Sequence, residues 1–490
     1  MPPPGYLTAA GIESCLQYLA NTYPTICQLI VMPEASHEGS SIRAIRIRGG
    51  ASGNRRGVLF IGGVHAREIV NPDLLVSFAL NLCKAYTSGT GLTFGGRSYG
   101  SSIVRLLVHT LDIFILPLVN PDGRVYVQSP TGDAFWRKNR NPNVGLPCRG
   151  ADINRNYNLL WSSGIGTSAS SCSEVFKGNN AFSEPETRNV RHLLDTYPNI
   201  MGMIDVHSYM QLVLYPWGDD DNQTTNPSMN FMNPAYNGMR GTAGDSIYRE
   251  YMPQTDWDWF ATTGNRVRDA IAAVRGRVYT VEQSILLYPT SGDSKDYAYS
   301  RHFVDATKRK VFAYVLETGT EFQPPYSEAL NIISEVSSGL VEFCLACLCA
   351  FEEVVRSTAL EAELEEARDF REHDMLATPA GRRYVRLLTD NSAEVTEVIQ
   401  RDDEARKRAV ELLQRVNEVV ASRKDRRPKV FEASLIEEVE RYLNEFSDKR
   451  SPSLKKAIQE VRRDLKHFRG KTVSEGLESA SKEHENQARY

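Results

Sequence analysis

A run of apolar residues that stops at two glycines and a polar tetrad constrains this chain more than any other feature. Residues 58–72 read VLFIGGVHAREIVNP. Val58-Leu59-Phe60-Ile61 has no polar alternate, which is the pattern of a fully buried strand. Gly62 and Gly63 end the run, and an amphipathic helix is predicted from Asp73 to Lys84. His65-Ala66-Arg67-Glu68 therefore falls on a loop at the carboxyl end of a central strand, where open α/β sheets bind ligands. A neutral imidazole and a carboxylate three residues apart can reach one ion. Zn²⁺ takes such ligands, and a catalytic site uses three of them plus water. HxxE alone is common by chance, so the rest of the chain must supply a third ligand.

The same arrangement recurs. The predicted strand Ile200–Val206 ends in His207-Ser208-Tyr209, and the predicted strand Val311–Leu316 ends at Glu317. His207 is the best third ligand. Glu317 is placed to act as a general base on a water at the metal, the plain alternative being a helix or turn cap. Further strands are predicted at Ile26–Val31, Ile42–Arg48 and Asp112–Leu118. Helices are predicted at 7–23 (with Thr8 as N-cap), Ser101–His109, Asn265–Arg275 and Ser327–Phe351. Strands alternating with helices argue for an α/β sheet with crossover connections.

Two stretches lack periodicity. Residues 215–260 read as a long loop with short helices. Residues 119–161 carry Asn120-Pro121-Asp122-Gly123, Trp136-Arg137-Lys138 and Asp152-Ile153-Asn154-Arg155-Asn156. A long irregular segment anchored by Trp and Tyr is functional rather than disordered. Its arginines suit a carboxylate, which a guanidinium grips with a planar fork. The plain alternative makes Arg137 and Arg155 surface salt-bridge residues.

A formal charge of −4 over 490 residues gives no bulk electrostatic case for nucleic acid or an acidic membrane. No stretch is read as long enough to span a membrane; the longest candidate, Leu340–Phe351, contains Glu342. The start, MPPPGYLTAAGIES, lacks the basic and apolar regions of a signal peptide. The expected compartment is the cytoplasm, or the outside if a leader has been removed.

Composition shifts near residue 350. Residues 351–490 hold 28 Lys+Arg and 30 Asp+Glu, against 29 and 31 in the much longer 1–350, and every Trp and Cys precedes residue 350. The expected organisation is a catalytic domain over 1–350, a charged helical bundle over 351–470 and a disordered tail over 471–490. Breaks fall at Thr378-Pro379, Arg427-Pro428 and Ser451-Pro452. Apolar stripes run through Val395–Ile399, Ala409–Val420 and Leu435–Leu443. This part reads as a protein-interaction or regulatory module of three or four helices. Cys15, Cys27 and Cys83 read as small buried residues. Cys344, Cys347 and Cys349 sit too close on one helix for a zinc site.

Together these motifs, with Tyr288, resemble the zinc metallocarboxypeptidase family, which includes pancreatic carboxypeptidases A and B, from about Tyr6 to about residue 348. The resemblance implies a mixed, mostly parallel eight-stranded sheet flanked by helices, here followed by the C-terminal helical region. It implies one zinc per chain on His65, Glu68 and His207, with Asp152 orienting His65. Glu317 would be the base and Arg137 the oxyanion stabiliser. Asn154, Arg155 and Tyr288 would grip a peptide's terminal carboxylate, and Arg67 and Tyr209 would line the approach. Cys148 and Cys172 match a disulfide of the pancreatic enzymes. The implied reaction is hydrolysis of the C-terminal peptide bond, releasing single amino acids from peptides or proteins.

The family places the base of the side-chain pocket seven residues after the Tyr, here Lys295. A buried ammonium there favours acidic C-terminal residues, unless Asp293, where the family has Gly, cancels it. The alternatives are a related zinc hydrolase on non-standard peptides and an inactive scaffold whose tail binds partners.

Overall fold

The computed structural model describes residues 2–50, 55–143, 148–348, 370, 374–375, 377–448 and 450–487. The chain separates into two compact units, Met1–Cys347 and Leu348–Tyr490.

The first unit begins with α1 (Ala9–Thr22), β1 (Cys27–Val31), β2 (Arg43–Ile47), β3 (Arg56–Gly62) and α2 (Val70–Ser88). A small hairpin, β4 (Leu92–Phe94) and β5 (Arg97–Tyr99), leads to α3 (Ser101–Thr110), β6 (Leu111–Leu116) and α4 (Pro121–Gln128). Next come α5 (Pro185–Thr196), β7 (Ile200–His207) and β8 (Leu212–Tyr215), then the short parallel pair β9 (Asn222–Gln223) and β10 (Glu250–Tyr251). The unit closes with α6 (Gln254–Arg275), β11 (Thr280–Gln283), α7 (Ser294–Val304), β12 (Phe312–Glu317) and α8 (Tyr326–Ala346).

Eight strands form one mixed sheet in the order β1-β2-β6-β3-β7-β12-β8-β11. The central strands β6, β3, β7 and β12 are mutually parallel, as is β8 with β11. The β1–β2, β2–β6 and β12–β8 pairings are antiparallel. β3 is buried along its whole length, which explains its unbroken apolar sequence: both faces are covered. Leu59 and Ile61 join a core with Val190 and Leu193 of α5 and Ala298 of α7. Phe60, pointing the other way, meets Phe78 of α2 edge-on at 5.7 Å and Phe343 of α8 at 6.1 Å.

Several elements differ from expectation. The helix after the tetrad starts at Val70, with Pro72 in its first turn, where a missing N–H costs nothing. Asn120-Pro121-Asp122-Gly123 opens a helix instead of continuing a loop: the Asn120 side chain accepts from Gly123 N at 2.9 Å. α6 begins at Gln254, inside the expected 215–260 loop. Helix α8 is, against expectation, long and apolar enough to cross a membrane, and 83% of its apolar window is buried inside the unit, where it packs against α2 and α6. Its end stops at Ala346; the expected continuation toward residue 351 lies outside the described residues beyond Leu348.

The second unit contains α9 (Pro379–Arg401), α10 (Asp403–Ala421), α11 (Ala433–Phe446), α12 (Pro452–Asp464) and α13 (Val473–Gln487) among the described residues. Thr378, Asp402 and Ser451 cap three of them, and Pro379 and Pro452 occupy first-turn positions. The stripes fill two cores. One gathers Val419, Val420, Leu435 and Ile436, and the other Ile399, Ala409, Phe446 and Ile458. Within the tail expected to be disordered over 471–490, Val473–Gln487 is helical as α13. Its Val473 and Leu477 complete the first of those cores, and that burial pays for ordering a polar sequence.

Candidate active site

Sheet register sets the site. β12 pairs with β7 so that Glu317 lies opposite His207, and Gly62 at the end of β3 lies opposite Val206. Three strand ends therefore meet at one level. Asn71 at the start of α2 ties them together: its Oδ1 accepts from Ser208 Oγ at 3.2 Å and from Thr318 Oγ1 at 3.1 Å.

His65, Glu68 and His207 are buried, with ligand atoms within 4.8 Å of one another. Glu68 Oε1 lies 2.7 Å from His65 Nδ1 and Oε2 lies 3.1 Å from His207 Nδ1. Backbone N–H of Ser208 donates to Oε2 at 3.0 Å. The two Nδ1 atoms face each other at 3.0 Å. Only a shared proton or a cation between them reconciles two such nitrogens.

The far nitrogens show which alternative the site is built for. His65 Nε2 lies 3.1 Å from Asp152 Oδ1, and His207 Nε2 lies 3.0 Å from Asp205 Oδ1. A carboxylate hydrogen-bonded to His65 and another in close charge contact with His207 favour the proton on Nε2 of each ring and leave the Nδ1 lone pairs for a metal. This donor set, two imidazoles and one carboxylate, fits zinc. Burial works against charge on Glu68, yet the two histidines hold its carboxyl far below the usual range. Burial likewise opposes charge on His207, but Asp205 and Glu68 outweigh it and raise its pKa.

Asp152 does double duty. Its Oδ2 accepts from Arg137 Nε at 3.0 Å and Nη2 at 2.9 Å, a bidentate pair that fixes the guanidinium. Burial alone would raise its pKa; Arg137 and His65 hold it well below the ordinary value. Arg137 is thus a buried, oriented cation and not a surface salt-bridge residue. Glu317 is the last residue of β12, neither helix cap nor turn cap. Burial pushes its carboxyl up to about 8, with the His207 charge opposing and Glu68 assisting.

Asn154 and Arg155 form a short helical turn that Asp152 caps. Arg155 lies 5.7 Å over the Tyr288 ring, and its Nε and Nη1 reach only backbone carbonyls, of Gly166 and Asn154. Tyr288 and Tyr209 are exposed, 44% and 41%. Tyr209 packs edge-on against Phe322, and Arg67 stacks 4.4 Å over that same ring. Phe322 was not singled out from the sequence. The disulfide Cys148–Cys172 closes the loop that contains Asp152, Asn154 and Arg155.

Lys295 does not present a free ammonium. Its Nζ lies 2.9 Å from Asp293 Oδ2 and 3.0 Å from Asp296 Oδ1, with all three side chains buried. Asp293 also caps α7 by accepting from Asp296 N at 2.9 Å. Burial and the neighbouring Asp293 push the Asp296 carboxyl up to about 8. Ser294, between them, joins the pocket to the metal ligands: its N donates to Asn154 Oδ1 at 2.9 Å and its Oγ to Asp205 Oδ2 at 2.5 Å.

Sequence reasoning missed Asp205 and Ser294. The signal for Asp205 was available, because residues two apart on a strand share a face and Asp205-Val206-His207 ends β7. Ser294 had none, since only the packing of α7 brings it to β7.

The zinc carboxypeptidase family matches residues 12–337. The chain belongs to this family. Carboxypeptidase B of Helicoverpa zea is 35% identical over 232 residues, 46% of this chain and 49% of that protein. A protein named inactive metallocarboxypeptidase ecm14, of Talaromyces marneffei, is 34% identical over 213 residues, 41% of this chain and 33% of that one. The chain thus spans about half or less of these relatives' length. Bovine thrombin-activatable fibrinolysis inhibitor, in complex with tick carboxypeptidase inhibitor, has a similar fold. Its TM-score is 0.54 at 22% identity, over 70% of this chain and 97% of that one.

Proposed function

We propose that this zinc carboxypeptidase family member hydrolyses the C-terminal peptide bond of peptides or proteins and releases single amino acids. The observation that carries the reading is the convergence of His65, Glu68 and His207 with the half-buried Glu317 and the oriented Arg137. His65, Glu68 and His207 would hold zinc, which would supply Lewis acidity to a water and to a carbonyl. Glu317 takes the proton of the attacking water and passes it to the leaving amine. Arg137, preorganised by Asp152, donates to the oxyanion that develops on the scissile carbonyl. Asn154, Arg155 and Tyr288 hold the terminal carboxylate, which is what an exopeptidase needs and an endopeptidase does not.

For the C-terminal side chain, the ion pair speaks against an acidic preference. Lys295 Nζ lies within 3.0 Å of both Asp293 and Asp296, so its ammonium is neutralised and the pocket floor offers no free positive charge. We infer a preference for neutral side chains. For the compartment, Cys148–Cys172 supports an oxidising one over the cytoplasm. The second unit, with its own cores and charged exterior, fits a partner-binding role; comparing full chain with residues 1–347 in the same assay tests for control of activity.

The deciding experiment measures zinc content and amino-acid release from peptides ending in Phe, Lys or Glu, for wild type and Glu317→Gln. About one zinc per chain in both, with release lost in the variant by a factor of about 10²–10⁴, supports the mechanism. Zinc bound without cleavage by wild type makes the protein a scaffold like its inactive-named relative. Fastest release of Glu overturns the neutral-pocket reading alone.

A further inference from the structure

The edge strand β1 and helix α2 meet through a pair of cysteines. Cys27, the first residue of β1, and Cys83, late in α2, place their Sγ atoms 3.2 Å apart. The two thiols are unbonded and share a hydrogen bond, which holds their sulfurs side by side. Both are buried, 7% and 0% exposed. Among the described residues, no histidine or carboxylate joins them in a ligand cluster. The contact with Cys27, together with burial, pushes the Cys83 thiol far up, away from the thiolate that metal binding or nucleophilic chemistry requires. A dithiol so placed has one chemistry within reach.

We propose that Cys27 and Cys83 form a second disulfide in the mature protein. The oxidant is another disulfide, of a small thiol or of a thiol oxidoreductase. Each cysteine gives up its proton, the pair gives up two electrons, and the oxidant's S–S bond becomes two thiols as the Cys27–Cys83 bond forms. The reaction belongs to folding, before α2 packs over the pair. The loop it closes contains β2, β3 and the whole segment His65–Glu68, so two of the three zinc ligands lie inside it. The bond anchors α2, which starts two residues after Glu68, to the edge of the sheet.

The test uses full chain from an oxidising expression compartment, in which an intact Cys148–Cys172 serves as internal control. The protein is denatured without reductant, alkylated, digested and mapped by mass spectrometry. The expected result is a cross-linked Cys27–Cys83 peptide and four alkylated cysteines out of eight. Alkylation of both Cys27 and Cys83 beside an intact Cys148–Cys172 overturns the proposal. A second measurement avoids the packing cost of substitution, by comparing how far reductant lowers Tm in wild type and in Cys27→Ser/Cys83→Ser. The sequence separation of 56 residues corresponds to about 6 °C of extra loss in wild type for a unit this size. Equal losses in the two proteins also overturn it.

Discussion

Asp205→Asn isolates what a buried carboxylate behind a ligand does. Asp205 is fully buried, 3.0 Å from His207 Nε2 on one side and accepting from Ser294 Oγ at 2.5 Å on the other. An amide of the same shape can satisfy both neighbours in one orientation only. With its oxygen toward His207, it keeps the proton on Nε2 but exchanges the charge-assisted Ser294 contact for a neutral one. With its nitrogen toward His207, it forces the proton to Nδ1, where it blocks the metal. A charge-assisted bond contributes about 1.5–3 kcal/mol and a neutral one about 1, so the favourable orientation costs about 0.5–2 kcal/mol. The loss of ligand basicity adds to this, and partners in such positions typically change metal affinity 10- to 100-fold. The expectation is zinc binding weakened about 30-fold, measured by competition with a chromogenic chelator, with circular dichroism unchanged. Ser294→Ala, which removes only the outer hydrogen bond, falls between the variant and wild type. A zinc Kd within threefold of wild type in a folded Asp205→Asn protein refutes the argument that Asp205 sets the tautomer of His207.

Two other outcomes follow from the same geometry. Arg155→Met removes the cation proposed to hold the substrate's terminal carboxylate, so kcat/KM on free-carboxylate peptides falls about 10- to 100-fold; an equal fall on C-terminally amidated peptides would show that Arg155 acts elsewhere. Burial, reinforced by the adjacent Glu184, raises the Glu186 carboxyl to about 7 from an ordinary value near 4.5. Folding therefore favours its protonated form, and stability is lost as pH rises from about 4.5 through 7, by about 3 kcal/mol in all. Glu186→Gln, which still offers Asn139 an acceptor, should match wild type in Tm near pH 4.5 and exceed it by about 4 °C at pH 8. A difference independent of pH would mean that Glu186 is ionised in the fold throughout.

The sequence by itself named candidate metal ligands and a candidate base. Three strand-end side chains, His65, His207 and Glu317, were legible because a fully apolar strand can only be buried, and a polar residue just past it can only lie at the sheet's rim. β12 and β7 then align Glu317 with His207 through backbone register alone. The cap Thr8 was readable for a similar local reason, since its side chain satisfies an orphan N–H within three residues, and the breaks read at Thr378-Pro379 and Ser451-Pro452 fall where Thr378 and Ser451 cap new helices. Segments whose order comes from distant partners were not readable. α13 has a polar sequence and is ordered by a core built from α10 and α11. The first half of α6, within the stretch read as loop, is held by aromatic packing: Trp259 and Phe260 meet Phe312 and Tyr314 on β12. The state of Lys295 belongs to the same class. Its spacing from Tyr288 named it, but whether its charge faces a substrate depended on where Asp293 and Asp296 point once α7 is capped, and that is a property of the packed helix rather than of the residue order.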